Sequence, residues 1–141
     1  MNLTLKIFLR IFAILLLLFL GFGGIYGGWI LISDTSGGKF DWSLELLEGT
    51  PFRSFLIPGI ILFMINGLLP LAIAIMTISR AKYYEWLTII QGCILIGWLT
   101  SEVLFSKELY VPGIHFLWYG LGLLLIINGG ILLKIATNAR N

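Results

Sequence analysis

Four long uncharged runs restrict this chain to a membrane. They cover residues 11–32, 54–79, 86–101 and 109–133, and contain 22, 26, 16 and 25 residues. About 20 apolar residues are needed to cross the hydrocarbon layer as a helix, so the third run spans it only if its helix takes in Glu102. A mean hydropathy of +1.02 and a charged content of 11% exclude an ordinary soluble domain, in which about 25% of residues are charged.

The runs predict an all-α fold, a four-helix transmembrane bundle with up-down topology that forms a single integral membrane domain over residues 1–141. The predicted spans are residues 8–32, 54–79, 84–105 and 112–134. Residues 42–48, in the first outer loop, are predicted to form a short amphipathic helix that Asp41 caps and that Gly49 and Pro51 end.

The basic residues predict which side each loop faces. Six of the nine lie at the two ends of the chain and in the second loop: Lys6, Arg10, Arg80, Lys82, Lys134 and Arg140. By the positive-inside rule both termini are cytoplasmic, and the chain is a multi-pass protein of the cytoplasmic (inner) membrane. The basic inner rim suits anionic lipid headgroups. Nucleic-acid binding has no support, because the cations are scattered among loops.

Reactive side chains are scarce. With one cysteine, Cys93, and one histidine, His115, the chain has neither an internal disulfide nor a thiolate metal cage. No nucleophile and base stand in a recognisable pattern. We therefore expect a protein that is not an enzyme, with no catalytic residue, no metal site and no cofactor.

Polar residues inside the spans are the candidate functional groups. On the third span they recur at spacings of three and four, which puts Tyr84, Thr88, Gln91, Leu95, Trp98 and Glu102 on one face. Asn66, near the centre of the second span, precedes Pro70, which removes an internal hydrogen bond and bends the helix. We interpret Asn66 as a donor to a bound ligand or, preferably, as a partner in a cross-helix bond to Gln91 or Asn128.

Glu102 and His115 are expected to meet, because a short connection makes the third and fourth spans antiparallel neighbours. Such a pair can move protons, hold a cation or a polar headgroup, or simply seal the bundle, and Arg53 is a possible third member. Gly21, Gly24 and Gly28 align on the first span as a helix-packing face, against another helix of the chain or against a second protomer.

The segments Thr50-Pro51-Phe52 and Leu56-Ile57-Pro58-Gly59, together with the tryptophan-bearing third span, resemble a loosely defined group of small bacterial four-helix integral membrane proteins. The resemblance implies a four-helix fold in a bacterial inner membrane. It implies no activity and no site residue.

Three functions fit these features. The first is a non-catalytic subunit or scaffold of a membrane assembly. The alternative is a binder or carrier of a lipid, quinone or other amphiphile in an outer-leaflet crevice, lined by Asn66, Gln91, Trp98, Glu102 and Tyr119. The second alternative is an oligomeric small channel or proton-coupled transporter that uses Glu102 and His115. The expected partners are membrane lipids, with other membrane proteins or further copies of the chain.

Overall fold

The computed structural model describes residues 3–140, and in this part of the chain all regular structure is helical. The long helices are α1 (Leu3–Ser33), α2 (Leu56–Phe63), α3 (Leu69–Ile78), α4 (Tyr84–Phe105) and α5 (Pro112–Asn138). A π-helical turn, Met64–Leu68, joins α2 to α3, so that Leu56–Ile78 is one continuous span. Four spans are therefore long and apolar enough to cross a bilayer, and the protein is a multi-pass membrane protein with the predicted four-helix fold.

The spans run alternately up and down, and their contacts define two ends of the bundle. Residues 34–55 and 106–111 connect helices at what we call the loop end. The terminal end holds both ends of the chain and the turn at residues 79–83. The largest helix interface joins α4 to α5, and α1 packs against α2, α3 and α5.

Glycines set the distance between α1 and the second span. A methyl group added at Gly28 would come within 2.6 Å of the Phe63 backbone nitrogen, and one at Gly24 would overlap the Asn66 carbonyl. A methyl group at Gly21 would come within 2.5 Å of the Leu71 side chain. The glycine face predicted on the first span is therefore buried, and its partner is a helix of the same chain.

The interface of α4 with α5 is equally close. A methyl group at Gly92 would come within 2.6 Å of the Gly122 carbonyl oxygen, and one at Gly129 within 2.8 Å of the Ile89 side chain. Leucines fill the space between these helices and α1, with Leu17, Leu125 and Leu132 fully buried. Close backbone approach and buried aliphatic side chains supply the dispersion contacts that hold helices together where water is absent.

The observed helices differ from the predicted ones at their ends. The first begins at Leu3 instead of residue 8, and the last ends at Asn138 instead of residue 134. The third includes Glu102, as its length required. Lysine and arginine side chains near a helix end reach the headgroup zone without breaking the helix, so charge does not mark where these helices stop.

A short helix is present within the predicted residues 42–48, but it is the 3-10 helix Leu44–Leu47, with Leu47 buried and Glu45 exposed. A separate 3-10 turn, Gly38–Phe40, precedes it. Asp41 does not cap the second turn: its backbone has a φ of 56° and ends the first one. Ser43 is the cap, and its hydroxyl accepts a hydrogen bond from the Glu45 N–H. Because Asp41 interrupts the helical backbone, the two turns cannot merge into one helix.

Candidate polar sites and loop-end cavity

Asn66 and Gln91 meet at the centre of the bundle. The Gln91 Nε2 donates hydrogen bonds to the Ile65 carbonyl at 3.2 Å and to the Asn66 Oδ1 at 3.3 Å. Gln91 is 0% exposed and Asn66 is 1% exposed, so neither side chain reaches lipid. The cross-helix bond expected between them is present, and it ties α4 to the second span.

Pro70 explains why that bond is needed. In the π-helical turn the Leu69 N–H donates to the Met64 carbonyl, five residues back instead of four. The next donor in this register would be the N–H of residue 70, but proline has none, so the Ile65 carbonyl loses its partner inside the helix. Gln91 supplies the missing donor from α4. The polar side chain thus repairs a backbone defect where no water is present to do so.

Several buried polar atoms near this level have no hydrogen-bond partner among residues 3–140. They are the Asn66 Nδ2, the Gln91 Oε1 and both amide atoms of Asn128. Of the two partners considered for Asn66, Gln91 is the one that bonds it. Asn128 is also buried, at 3% exposed, but it makes no such bond. Thr77 and Thr88, also buried, bond the carbonyls one turn back in their own helices.

Glu102 and His115 meet at the loop end. The His115 Nε2 lies 3.7 Å from the Glu102 Oε2, and the two side chains are 6% and 24% exposed. The Val111 N–H lies 3.1 Å from the His115 Nδ1 in donor geometry. The Val111 carbonyl oxygen lies 3.2 Å from the same Nδ1, so the Val111 backbone bonds this ring nitrogen in either tautomer. The Nε2 faces Glu102 and makes no hydrogen bond among residues 3–140.

Two tyrosine rings lie near the histidine ring. The ring centroids of Tyr110 and Tyr119 lie 5.0 Å and 6.5 Å from that of His115. The Tyr119 hydroxyl in turn bonds the Thr100 hydroxyl at 2.9 Å, which links α5 to α4. Arg53 does not join the pair: it is exposed, and Glu102–His115 is the only ion pair within 4.0 Å among residues 3–140.

A cavity of about 260 Å³ lies next to Glu102 at the loop end. Trp98, Ser101 and Glu102 line one wall from α4, and Pro58 and Ile61 line another from α2. Of the residues expected in a crevice, Trp98 and Glu102 line this cavity. Asn66, Gln91 and Tyr119 do not, because the first two are bonded in the bundle centre and the third faces Thr100.

The segment from Trp42 to Phe55 forms the remaining cavity wall. Leu47 and Phe55 are 7% and 2% exposed and pack against Leu31 of α1. The Trp42 ring centroid lies 5.5 Å from that of Phe55. The backbone N–H of Phe55 donates to the Thr35 carbonyl at 2.9 Å, which fixes the end of the loop to its beginning.

The turn that begins this loop is organised by Asp34. Its carboxylate accepts hydrogen bonds from the Ser36 hydroxyl at 2.6 Å and from the backbone N–H groups of Ser36 and Lys39. The Ser36 hydroxyl bond and the two backbone bonds hold the pKa of Asp34 below its ordinary value of 3.8.

Sequence reasoning missed three parts of this site. Ser101 and the loop residues Leu47 and Phe55 line the cavity, and Tyr110 contacts the His115 ring. Only the position of Ser101, next to Glu102, was a usable signal. The loop contributions depend on how the 22 residues from 34 to 55 fold back over the bundle, which periodicity does not reveal.

No cluster of three or more histidine, cysteine or acidic side chains that could hold a metal ion occurs within residues 3–140. Comparison of the chain with protein-family models, with curated proteins and with solved structures finds no match. The function must therefore be argued from the cavity and the two polar pairs.

Proposed function

We propose that this protein binds a membrane amphiphile in the loop-end cavity. The cavity carries the proposal, because it is an apolar space inside a membrane protein that has a carboxyl group at its edge. Ligand sites are typically concave, mostly apolar and equipped with a few polar groups that fix orientation. Trp98 and Phe55 provide apolar walls, and Glu102 provides the polar group.

The size of the cavity limits what enters it. Its 260 Å³ is slightly below the range of about 300 to 1,000 Å³ that is common for small-molecule sites. One acyl chain or one substituted ring fits this space better than a whole two-chain lipid. The rest of the ligand would remain in the bilayer or the headgroup zone.

Glu102 favours ligands whose polar end donates a hydrogen bond. A carboxylate accepts hydrogen bonds, and such charge-assisted bonds are about twice as strong as neutral ones. His115 lies behind the carboxyl group and does not line the cavity, so it supports Glu102 instead of contacting the ligand. Primary amines and hydroxyl groups are therefore the preferred polar ends.

The role as a membrane subunit receives less support. It relied on the glycine face of α1, and that face packs against the second span of the same chain. It also relied on an amphipathic loop helix, whereas the loop covers the cavity with Leu47 and Phe55. We rank amphiphile binding above the subunit role. In both cases we propose that the protein is not an enzyme. The transporter hypothesis keeps the Glu102–His115 pair as its only support.

We also propose that the loop end faces the outside of a bacterial inner membrane, with both termini cytoplasmic. The loop end carries three basic residues, Lys39, Arg53 and Lys107, and six of the seven acidic ones. The positive-inside rule places this end away from the cytoplasm. The cavity then takes its ligand from the outer leaflet.

Quenching of tryptophan fluorescence tests the binding proposal. The probes are brominated phosphatidylethanolamine, whose headgroup donates hydrogen bonds, and brominated phosphatidylcholine, which has no hydrogen-bond donor. We expect a saturable component of quenching that favours the first probe, is reduced in Trp98→Phe and is lost when Trp42→Phe is added, because both indoles line the cavity. Glu102→Gln should weaken binding of the first probe about tenfold, the loss expected for one charge-assisted bond.

Glu108→Gln is the matched control, because Glu108 is an exposed carboxylate at the same end of the bundle that does not line the cavity. It should change the affinity less than twofold. Ser101→Leu, which fills the cavity, should weaken both probes. Quenching that does not saturate, or equal losses in Glu102→Gln and Glu108→Gln, would contradict the proposal.

A further inference from the structure

A second cleft, of about 510 Å³, opens at the terminal end of the bundle, far from the cavity beneath the loop. Four cationic side chains line it: Lys6 and Arg10 from α1, Arg80 from the turn after α3, and Arg140 after α5. Among residues 3–140, none of the four has a carboxylate oxygen within 4.0 Å of its charged nitrogen atoms. The one contact of that length between a basic and an acidic side chain is Glu102–His115. The cleft therefore carries an unneutralised positive charge.

Apolar residues next to the cations suit the part of a lipid where the acyl chains join the headgroup. Leu3 and Ile7 of α1 and Ala136 and Ala139 at the end of α5 supply apolar surface next to the cations. Glu85, on α4, is the one carboxylate in the lining, so four positive charges face one negative charge. A site that is cationic at a helix end and apolar along the helix sides is suited to a phosphate that is attached to an acyl chain.

Arg80 occupies a backbone position at which glycine is usual. The Ala81 N–H donates to the Met76 carbonyl and the Arg80 N–H donates to the Thr77 carbonyl, which is the Schellman pattern that ends α3. Its left-handed residue is Arg80, with a φ of 56°. A side chain other than glycine is strained there. The side chain carried at this strained position lines the cleft.

We infer that the cleft lined by Lys6, Arg10, Arg80 and Arg140 binds the phosphate of an anionic phospholipid headgroup. Phospholipid is the occupant to which the geometry points, because the cleft lies between the ends of membrane-spanning helices and has apolar walls. This inference does not depend on the proposed loop-end site, since the two sites share no residue. The loop-end site prefers a hydrogen-bond donor, whereas the cleft prefers an anionic phosphate.

Native mass spectrometry in detergent tests the inference, with phosphatidylglycerol and phosphatidylcholine as probes. Removing one cation near a phosphate costs about fivefold in affinity, so Arg10→Gln combined with Arg80→Gly should weaken phosphatidylglycerol binding about 25-fold. Binding of phosphatidylcholine should change less than twofold. The matched control combines Arg53→Gln with Lys107→Gln, which removes two exposed cations from the loop end. It should leave phosphatidylglycerol binding within twofold of the parent value.

The single variant Arg80→Gly separates binding from folding. Glycine relieves the strained backbone, so the midpoint of thermal unfolding should rise or stay the same, while phosphatidylglycerol affinity falls about fivefold. An equal loss of affinity in the loop-end control would show diffuse attraction by net charge and overturn the inference. Unchanged affinity in Arg80→Gly would overturn it as well.

Two further measurements use the unaltered protein. Inorganic phosphate or glycerol phosphate at 10 mM should not displace phosphatidylglycerol, whereas displacement would mean that the cleft binds a free phosphate and would overturn the lipid assignment. A photoactivatable phosphatidylglycerol should label segments 3–10, 80–85 and 136–140. Labelling spread evenly along the lipid-facing helices would overturn the inference even if the variants failed to fold.

Discussion

Two polar pairs bridge neighbouring helices in this protein, and their surroundings differ. Gln91 and Asn66 lie in the bundle centre, at most 1% exposed, with direct bonds of 3.2 and 3.3 Å to the second span. Glu102 and His115 lie at the loop end, 3.7 Å apart, with Glu102 facing a cavity of 260 Å³. The first pair is enclosed by close helix packing, and the second has open space beside it.

The difference shows how to separate structural from functional polar groups in a membrane. Gln91 satisfies a carbonyl that Pro70 leaves without a donor, so the backbone explains the position of its Nε2, whereas the Asn66 Nδ2 and the Gln91 Oε1 have no partner among residues 3–140. The Glu102 carboxyl group satisfies no backbone group among residues 3–140 and remains available to a ligand. A polar side chain that no structural requirement explains is the better functional candidate.

The packing around the central pair predicts the largest effect on stability. Gly24→Ala places a methyl group against the Asn66 carbonyl, so α1 must move away from the second span. We expect a loss of about 2 to 3 kcal/mol in the free energy of unfolding, typical of overpacking in a close-packed core. Titration with sodium dodecyl sulfate in mixed micelles measures it.

Gly97→Ala is the control for that prediction. Gly97 also lies within a helix, but a methyl group there meets nothing within 4 Å. Alanine favours a helix over glycine by about 0.5 to 1 kcal/mol, so Gly97→Ala should be neutral or stabilising. Equal destabilisation by the two variants would mean that the centre is not packed more closely than the rest of the bundle.

A smaller effect tests whether Gln91 serves the carbonyl that Pro70 exposes. Gln91→Leu should destabilise the protein by about 1 kcal/mol, within the range measured for hydrogen bonds between transmembrane helices. In the Pro70→Ala background the loss should shrink by about 0.5 kcal/mol or more, because the alanine N–H bonds the carbonyl within the helix. Unfolding of the four proteins in this double-mutant cycle measures the coupling. Strict additivity would show that Gln91 and Pro70 act independently.

The sequence was sufficient for the spans, the up-down topology and the meeting of Glu102 with His115. The positions of charged residues and the helical spacing depend only on local order. They predicted that Glu102 meets His115, and they left Gln91 and Asn128 as the two possible partners of Asn66, of which Gln91 is the observed one. The loop was not predictable in the same way. Asp41 adopts a left-handed backbone, which no hydrophobic pattern signals, so the loop helix is limited to Leu44–Leu47 and is capped by Ser43 instead of Asp41.

The cavity depends on that loop and was predicted only in part. Spacing placed Trp98 and Glu102 on one helix face, but it also grouped Gln91 with them. Gln91 is separated from the cavity by depth, because it lies two helical turns, about 10 Å, below Trp98 on α4 and bonds the Ile65 carbonyl there. Where Arg53 and Tyr119 point depends on side-chain packing between helices, which the order of residues along one helix does not specify.

The smallest expected effect contrasts the acid response of the two regions. The bonds that Asp34 accepts from Ser36 and Lys39 lower its pKa, so the negative form stabilises the turn that begins the loop. This contribution is complete above the unfolded pKa of about 3.8 and disappears as the pH falls through the still lower pKa of the folded protein. NMR titration of the Ser36 and Lys39 amide signals between pH 6 and pH 2 measures it.

We expect those two amide signals to shift at acid pH while the Gln91 side-chain signals remain unchanged, because the hydrogen bonds of Gln91 within residues 3–140 go to Ile65 and Asn66, neither of which titrates. Asp34→Asn should give the acid-like signals at every pH. Asp41→Asn makes the same chemical change in the same loop and should keep the titration of the parent protein. If the Gln91 signals moved together with the loop signals, the two regions would form one cooperative unit. The distinction between an enclosed centre and an adaptable loop end would then fail.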